Sequence, residues 1–261
     1  MTLLFLLTQK LQWMYNVRTS IFDKMVTRKG QIAVLIDPDK SQDEYYLTEL
    51  IEKAEFSGID FFFVGGSTVS AHDFQATVHF IKKRSNIPVV IFPGAGHQVS
   101  NEADAILYLS LLSGRNAEYL IGQHVSSALE VYKLQIEVIP TAYILVDGGN
   151  KSSVAYVSQT TPIPRNQKGI AVKTALAGVM QGKKVIFFDS GSGANDTVPT
   201  EMVNGLREYA DEVIIVGGGI SDIQTIDDYR NEAVNVIVIG NKLESDIDFL
   251  LDIANYKKQV E

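Results

Sequence analysis

The stretch VIFFDSGSGANDTVPTEMV, residues 185–203, runs from an unbroken apolar segment into an acid, a glycine–serine loop and then a helix start. A strand with one wet face alternates apolar and polar residues. A continuous β-branched and aromatic run instead indicates a strand buried on both faces, as in a parallel sheet. Seven more runs of this kind flank it: QIAVLI (31–36), DFFFV (60–64), PVVIF (88–92), AILYL (105–109), AYILV (142–146), EVIIV (212–216) and NVIVI (235–239); with KVIFF (184–188) they make eight.

Helical segments separate most of these runs. SQDEYYLTELIEKAEFSG (41–58) opens with Ser41, carries acids in its first turn and stops at Gly58, a start-and-stop pattern. GRNAEYLIGQHVSSALEVYKLQ, GIAVKTALAGVMQGK, PTEMVNGLREYA, DIQTIDDYRNE and LESDIDFLLDIANYKKQ have helical spacing too. Between the third and fourth runs, PGAGHQVSNEAD is too short and glycine-rich for a full helix. Eight parallel-type strands alternating with helices predict an α/β fold: a single (β/α)8 TIM barrel, modified so that the helix between strands 3 and 4 is reduced to coil. A doubly wound open sheet fits less well, because no strand followed by GxGxxG opens the chain.

The 261 residues are 46% hydrophobic and 21% charged, ordinary for a soluble globular protein. With no cysteine, disulfides and thiolate metal sites are excluded. A net charge of −8 argues against a nucleic-acid partner, which requires a basic face. The opening MTLLFLL is too short to span a membrane and lacks a preceding cationic region, so a cytoplasmic protein with at most transient membrane contact is expected. Residues 1–24 are expected to form an N-terminal, helical segment and residues 25–261 one barrel domain.

In such barrels the chemistry lies at the C-terminal strand ends. Here those ends read DPDK (37–40), GGST (65–68), PGAGH (93–97), DGGN (147–150), DSGSG (189–193), GGGIS (217–221) and GN (240–241). The clusters after strands 7 and 8 suit a phosphate site of backbone N–H groups; each alone is also an ordinary tight turn. Asp37 reads either as a cap or Asx-turn residue or, with Ser67, as a site for Mg²⁺ completed by waters and substrate phosphates. His72, His79, His97 and His124 have no metal-ligand spacing; His79 and His124 read as helix packing or surface residues. Phe61–Phe63 and Tyr108 are candidates for lining an apolar groove.

Taken together, IDPDK, FFFVGGS, FFDSGSGA, VPTEMV, IIVGGGIS and VIVIGN, with the TPIPR loop and the missing third helix, resemble the geranylgeranylglyceryl phosphate synthase family over roughly residues 25–255. The resemblance implies a Mg²⁺-dependent prenyltransferase joining sn-glycerol 1-phosphate to geranylgeranyl diphosphate or a similar polyprenyl diphosphate, with release of diphosphate. It implies Asp37 and Ser67 as Mg²⁺ ligands. It implies a glycerol 1-phosphate site of Phe187, Phe188, Asp189, Ser190, Gly191, Ser192, Gly193, Gly218, Gly219, Gly240 and Asn241. It also implies a homo-oligomer, dimer or hexamer. Asp189 falls where many relatives carry a glutamate that takes the proton of the glycerol 3-hydroxyl, and Phe187 falls where tyrosine is usual. The alternatives are a phosphosugar isomerase or aldolase, which needs a Schiff-base lysine or paired acid/base groups at strand ends, and a non-catalytic prenyl-phosphate binding protein.

Overall fold

A computed structural model describes residues 20–41 and 43–260. Its strands are β1 (Gln31–Ile36), β2 (Phe61–Val64), β3 (Val89–Ile91), β4 (Ala105–Leu111), β5 (Glu137–Leu145), β6 (Val185–Asp189), β7 (Val213–Gly217) and β8 (Val236–Ile239). All pair in parallel, in sequence order, and β8 closes on β1. The expected barrel is therefore the observed one.

The unbroken apolar runs are explained by two cores. On β6, Val185 and Phe187 point into the barrel beside Phe61, Phe63, Leu107 and Ile215. Ile186 and Phe188 point outward, into a layer that includes Ala171 and Ala175 of the helix Lys168–Met180. β6, like β2, β3, β7 and β8, thus buries both faces, so neither face selects polar residues. No helix joins β3 to β4, as the glycine-rich spacing predicted. The coil there is held by side chains: Gln98, fully buried, accepts from Gly94 N–H (3.0 Å) and donates to the Gly66 carbonyl (2.7 Å).

Several boundaries differ from expectation. β5 begins at Glu137, five residues before the AYILV run, and contains Pro140. Pairing with β6 starts only at Thr141, so the missing Pro140 N–H leaves no ladder position unfilled. The helix Glu44–Phe56 is capped by Asp43, whose side chain accepts from Tyr45 N–H, rather than by Ser41. The last helical segment is split into Asn241–Ser245 and Phe249–Val260.

The helix expected over the first twenty residues lies outside the described residues. The helix Ile21–Thr27, which crosses the boundary drawn at residue 24, closes the barrel floor: Ile21 and Met25 enter the inner core. Glu137 accepts from the Ile21 and Phe22 N–H groups (2.6 and 3.1 Å), satisfying donors that a helix start leaves free. Among the described residues no helix is long and apolar enough to cross a membrane.

Candidate active site

Opposite this floor, the loops after β1, β2, β6, β7 and β8 enclose a cavity of about 320 Å³. Asp189 shares the inward parity of Val185 and Phe187, which brings its carboxylate into the barrel mouth. It is 8% exposed. Its Oδ1 accepts from Gly191 N–H (2.9 Å) and its Oδ2 from the Tyr143 hydroxyl. Burial raises its pKa, and the two donors partly oppose that rise.

The glycines give the cavity its shape. Gly218 has φ +85°, and a Cβ there would stand 2.8 Å from Asp189 Oδ1 and from the N atoms of Ser190 and Gly191; only glycine combines that conformation with that approach. Asn241 links the loops after β6 and β8: its Oδ1 accepts from Gly193 N–H (2.6 Å) and the Ser192 hydroxyl (3.0 Å). Its amide donates to Glu244 (3.0 Å), which also pairs with Lys40 (3.0 Å) from the loop after β1.

Asp37 and Ser67 both border this cavity. Asp37 Oδ1 accepts from Asp39 N–H (3.2 Å), and a Cβ on Gly66 would lie 2.6 Å from that oxygen, so the loop after β2 runs directly against the carboxylate. Burial raises the Asp37 pKa, opposed by that N–H and by Lys40. Among the described residues no group of three or more His, Cys, Asp or Glu side chains is gathered for a metal. One carboxylate and hydroxyl oxygens form a sparse hard-oxygen set, which fits Mg²⁺, an ion that keeps waters and takes substrate phosphates.

Of the residues implied for glycerol phosphate, Phe187, Asp189, Gly191, Ser192, Gly193, Gly218, Gly219, Gly240 and Asn241 border the cavity. Phe188 does not: one residue out of phase with Asp189, it is buried in the outer core. Ser190 is 2% exposed, with its hydroxyl buried and unpartnered, and also lies off the cavity wall.

A second, apolar cavity of about 120 Å³ opens where the third helix is missing. Its walls include Phe92, Val99, Ile106, Tyr108, Leu109 and Tyr119. Tyr108 is there as expected, whereas Phe61–Phe63 are fully buried in the two cores and form no part of it. His124, a helix residue, borders it with a buried, unpartnered Nε2 and a pKa lowered by burial. His97 Nε2–H instead donates to the Val69 carbonyl (2.9 Å), an internal loop contact. The two cavities share Gly66, Ser67, Phe92, Tyr143 and Val154.

Sequence reading passed over two residues. Tyr143 looked like strand core; only its register opposite Phe187 brings its hydroxyl to Asp189. Lys40 stood in the DPDK motif, but its partner Glu244 lies 204 residues away.

The sequence profile of the PcrB family matches residues 24–257. The chain belongs to the PcrB family. This PcrB-family chain is 42% identical over 243 residues to the geranylgeranylglyceryl phosphate synthase of Chitinophaga pinensis, covering 92% of this chain and 96% of that one. It is 37% identical over 230 residues to the enzyme of the same name from Korarchaeum cryptofilum, covering 88% and 94%. The crystal structure of (S)-3-O-geranylgeranylglyceryl phosphate synthase from Thermoplasma acidophilum, in complex with sn-glycerol-1-phosphate, superposes with a TM-score of 0.84 at 29% identity, covering 90% of this chain and 96% of that one. The PcrB-family chain is thus an enzyme of the geranylgeranylglyceryl phosphate synthase family, which are prenyltransferases. An N-acetylmannosamine-6-phosphate 2-epimerase from Clostridium perfringens, at 10% identity and TM-score 0.56, shares the barrel fold alone.

Proposed function

We propose that this enzyme transfers a polyprenyl group from its diphosphate to the free 3-hydroxyl of sn-glycerol 1-phosphate, releasing diphosphate. The observation that carries the reading is the junction of the two cavities: a glycine-walled polar chamber containing one buried carboxylate opens into an apolar groove. A charged, three-carbon acceptor suits the first and an isoprenoid chain the second.

In this reading the loops Gly191–Gly193, Gly218–Gly219 and Gly240–Asn241 hold the phosphate of the acceptor. That fixes the free hydroxyl near Asp189, which receives its proton. Burial makes Asp189 a stronger base than a surface aspartate. Its negative charge also favours the cationic character that an allylic carbon develops as its bond to diphosphate breaks. Asp37 and Ser67 are the residues to hold Mg²⁺ at the mouth. When bound, the ion supplies charge neutralisation to the departing diphosphate. The apolar groove keeps water from the reacting carbon.

The same reading includes self-association in the cytoplasm. Ile121, Val125, Leu129 and Tyr132 recur on one side of the segment 118–134 and are 57%, 71%, 66% and 81% exposed. An apolar stripe of this kind supports a covered face, and light scattering is expected to give a dimer or hexamer.

The deciding experiment incubates the purified protein with Mg²⁺, labelled sn-glycerol 1-phosphate and a ladder of prenyl diphosphates. Label is expected to move into organic solvent with the 1-phosphate and not with sn-glycerol 3-phosphate. No transfer with any donor, despite measurable glycerol phosphate binding, would overturn the reading.

A further inference from the structure

Asp189 does not hang free over its cavity. Its Oδ1 is taken by the Gly191 N–H and its Oδ2 by the Tyr143 hydroxyl. Tyr143 is 5% exposed and is wedged edge-on against Phe92 and Phe187, with ring centroids 5.7 and 5.5 Å away. Phe92 and Phe187 also pack on each other, with centroids 5.1 Å apart, so the three rings form one cluster that fixes the direction of the Tyr143 hydroxyl.

The placement of the two residues differs in one respect. Asp189 borders the polar cavity alone, whereas Tyr143 borders both that cavity and the apolar groove. The reacting carbon arrives from the groove and the acceptor hydroxyl from the polar side, so bond formation belongs at the junction, where Tyr143 stands. An aspartate is also one C–C bond, about 1.5 Å, shorter than a glutamate, which leaves the carboxylate further back.

Resting on the function proposed above, we infer that Tyr143 is a proton relay between the acceptor hydroxyl and Asp189. As the glycerol oxygen bonds to C1 of the prenyl chain, the allylic C–O bond breaks and its electron pair leaves with diphosphate. The hydroxyl proton passes to Tyr143 Oη, while the proton already on Oη passes to Asp189 Oδ2. Tyrosine ends neutral and Asp189 protonated, and the carboxyl returns its proton to solvent as the product leaves. Burial and the adjacent Asp189 charge hold the phenol's ionisation well above its ordinary range, so no standing tyrosinate occurs and the two transfers are concerted. The hydroxyl that Phe187 lacks is supplied from the neighbouring strand, at the residue directly paired with it.

The test compares the wild type, Tyr143→Phe, Asp189→Glu and the double variant in the Mg²⁺-dependent transfer assay, with calorimetry of sn-glycerol 1-phosphate binding. Tyr143→Phe is expected to lower kcat by ~100-fold, the scale of one lost proton-transfer group, with acceptor binding within ~3-fold of wild type. Adding Asp189→Glu to it is expected to recover ~10-fold or more, because the longer acid reaches the hydroxyl directly and the two losses are coupled. A kcat within ~3-fold of wild type in Tyr143→Phe overturns the relay. So does an equal loss from Tyr143→Phe in the aspartate and glutamate backgrounds, which would make the phenol a packing group. A wild-type protein that transfers to no donor overturns the function itself, and the relay with it.

Discussion

The polar cavity and the apolar groove adjoin, yet their walls are held by different means. Around the cavity, loops from distant parts of the chain are tied by side-chain hydrogen bonds that converge on Asn241 and Glu244. Around the groove, Gln98 and His97 tie the coil to the loop after β2, Gln123 accepts from Gly96 N–H (2.6 Å), and most of the remaining wall is apolar packing. On the proposed function, the difference follows from what each would recognise. An anion and a proton need donors and acceptors at fixed positions, while a hydrocarbon chain needs only volume of the right shape.

This contrast is most exposed to failure at Asp189. Asp189→Ala is expected to cut turnover by more than ~100-fold, a general-base magnitude, while acceptor binding survives. Wild-type-like rates would remove the carboxylate from the chemistry and leave the cavity a binding chamber. Asp37→Ala is expected to abolish activity at all Mg²⁺ concentrations, read as a flat rate across a metal titration; a restored rate at high Mg²⁺ would show that other oxygens suffice.

Two changes separate the cavities more gently. Gly218→Ala forces a Cβ against Asp189 Oδ1 at φ +85° and is expected to raise the acceptor KM by ~10-fold, equivalent to the 1–3 kcal/mol that such strain costs. On the groove side, Ser127, 5% exposed at its wall, changed to Phe should reduce kcat/KM ~10-fold more for long donors than for short ones, the scale of an overpacking penalty. An equal loss for all donors would mean that this wall does not follow the chain.

The pH profile sharpens the comparison further. Asp189 must be ionised to accept a proton, and its pKa lies above that of an ordinary aspartate. The rate is therefore expected to fall with decreasing pH at a midpoint above the usual carboxylate range. Tyr143→Phe removes a donor that favours the charged form, so the midpoint should move up further. The smallest effect is on stability. Tyr229 is buried, donates to the Val198 carbonyl (2.6 Å) and has its pKa pushed up to about 12. Its contribution is whole below the unfolded value of ~10 and is lost as pH rises through the folded one. Thermal melts across that window should decline less steeply in Tyr229→Phe.

The barrel was legible because the apolar runs are buried on both faces, as in β2, β3, β6, β7 and β8. The position of Asp189 at the barrel mouth was legible as well, since parity with Phe187 aims it inward. The same parity turns the Phe188 side chain away from the cavity and into the outer core. What stayed hidden depends on contacts across the fold. The Tyr143–Asp189 pair needs the β5–β6 register, itself obscured because β5 starts before a proline. Gln98 is a single polar residue in a coil, and no periodicity marks it as fully buried.

Gln98 also has a consequence for how this scaffold can change over generations. In six of the seven connections between successive strands the layer outside the barrel is a packed helix, whose alteration disturbs the core it covers. In the seventh, between β3 and β4, a carboxamide bridging Gly66 and Gly94 does the bracing. Val99 and Ala103 of the same coil belong to the outer core, while the half-buried Pro93, Ala95 and Gly96 carry no strand pairing. On the proposed function, a route to a different hydrocarbon preference therefore runs through a coil that carries no strand pairing.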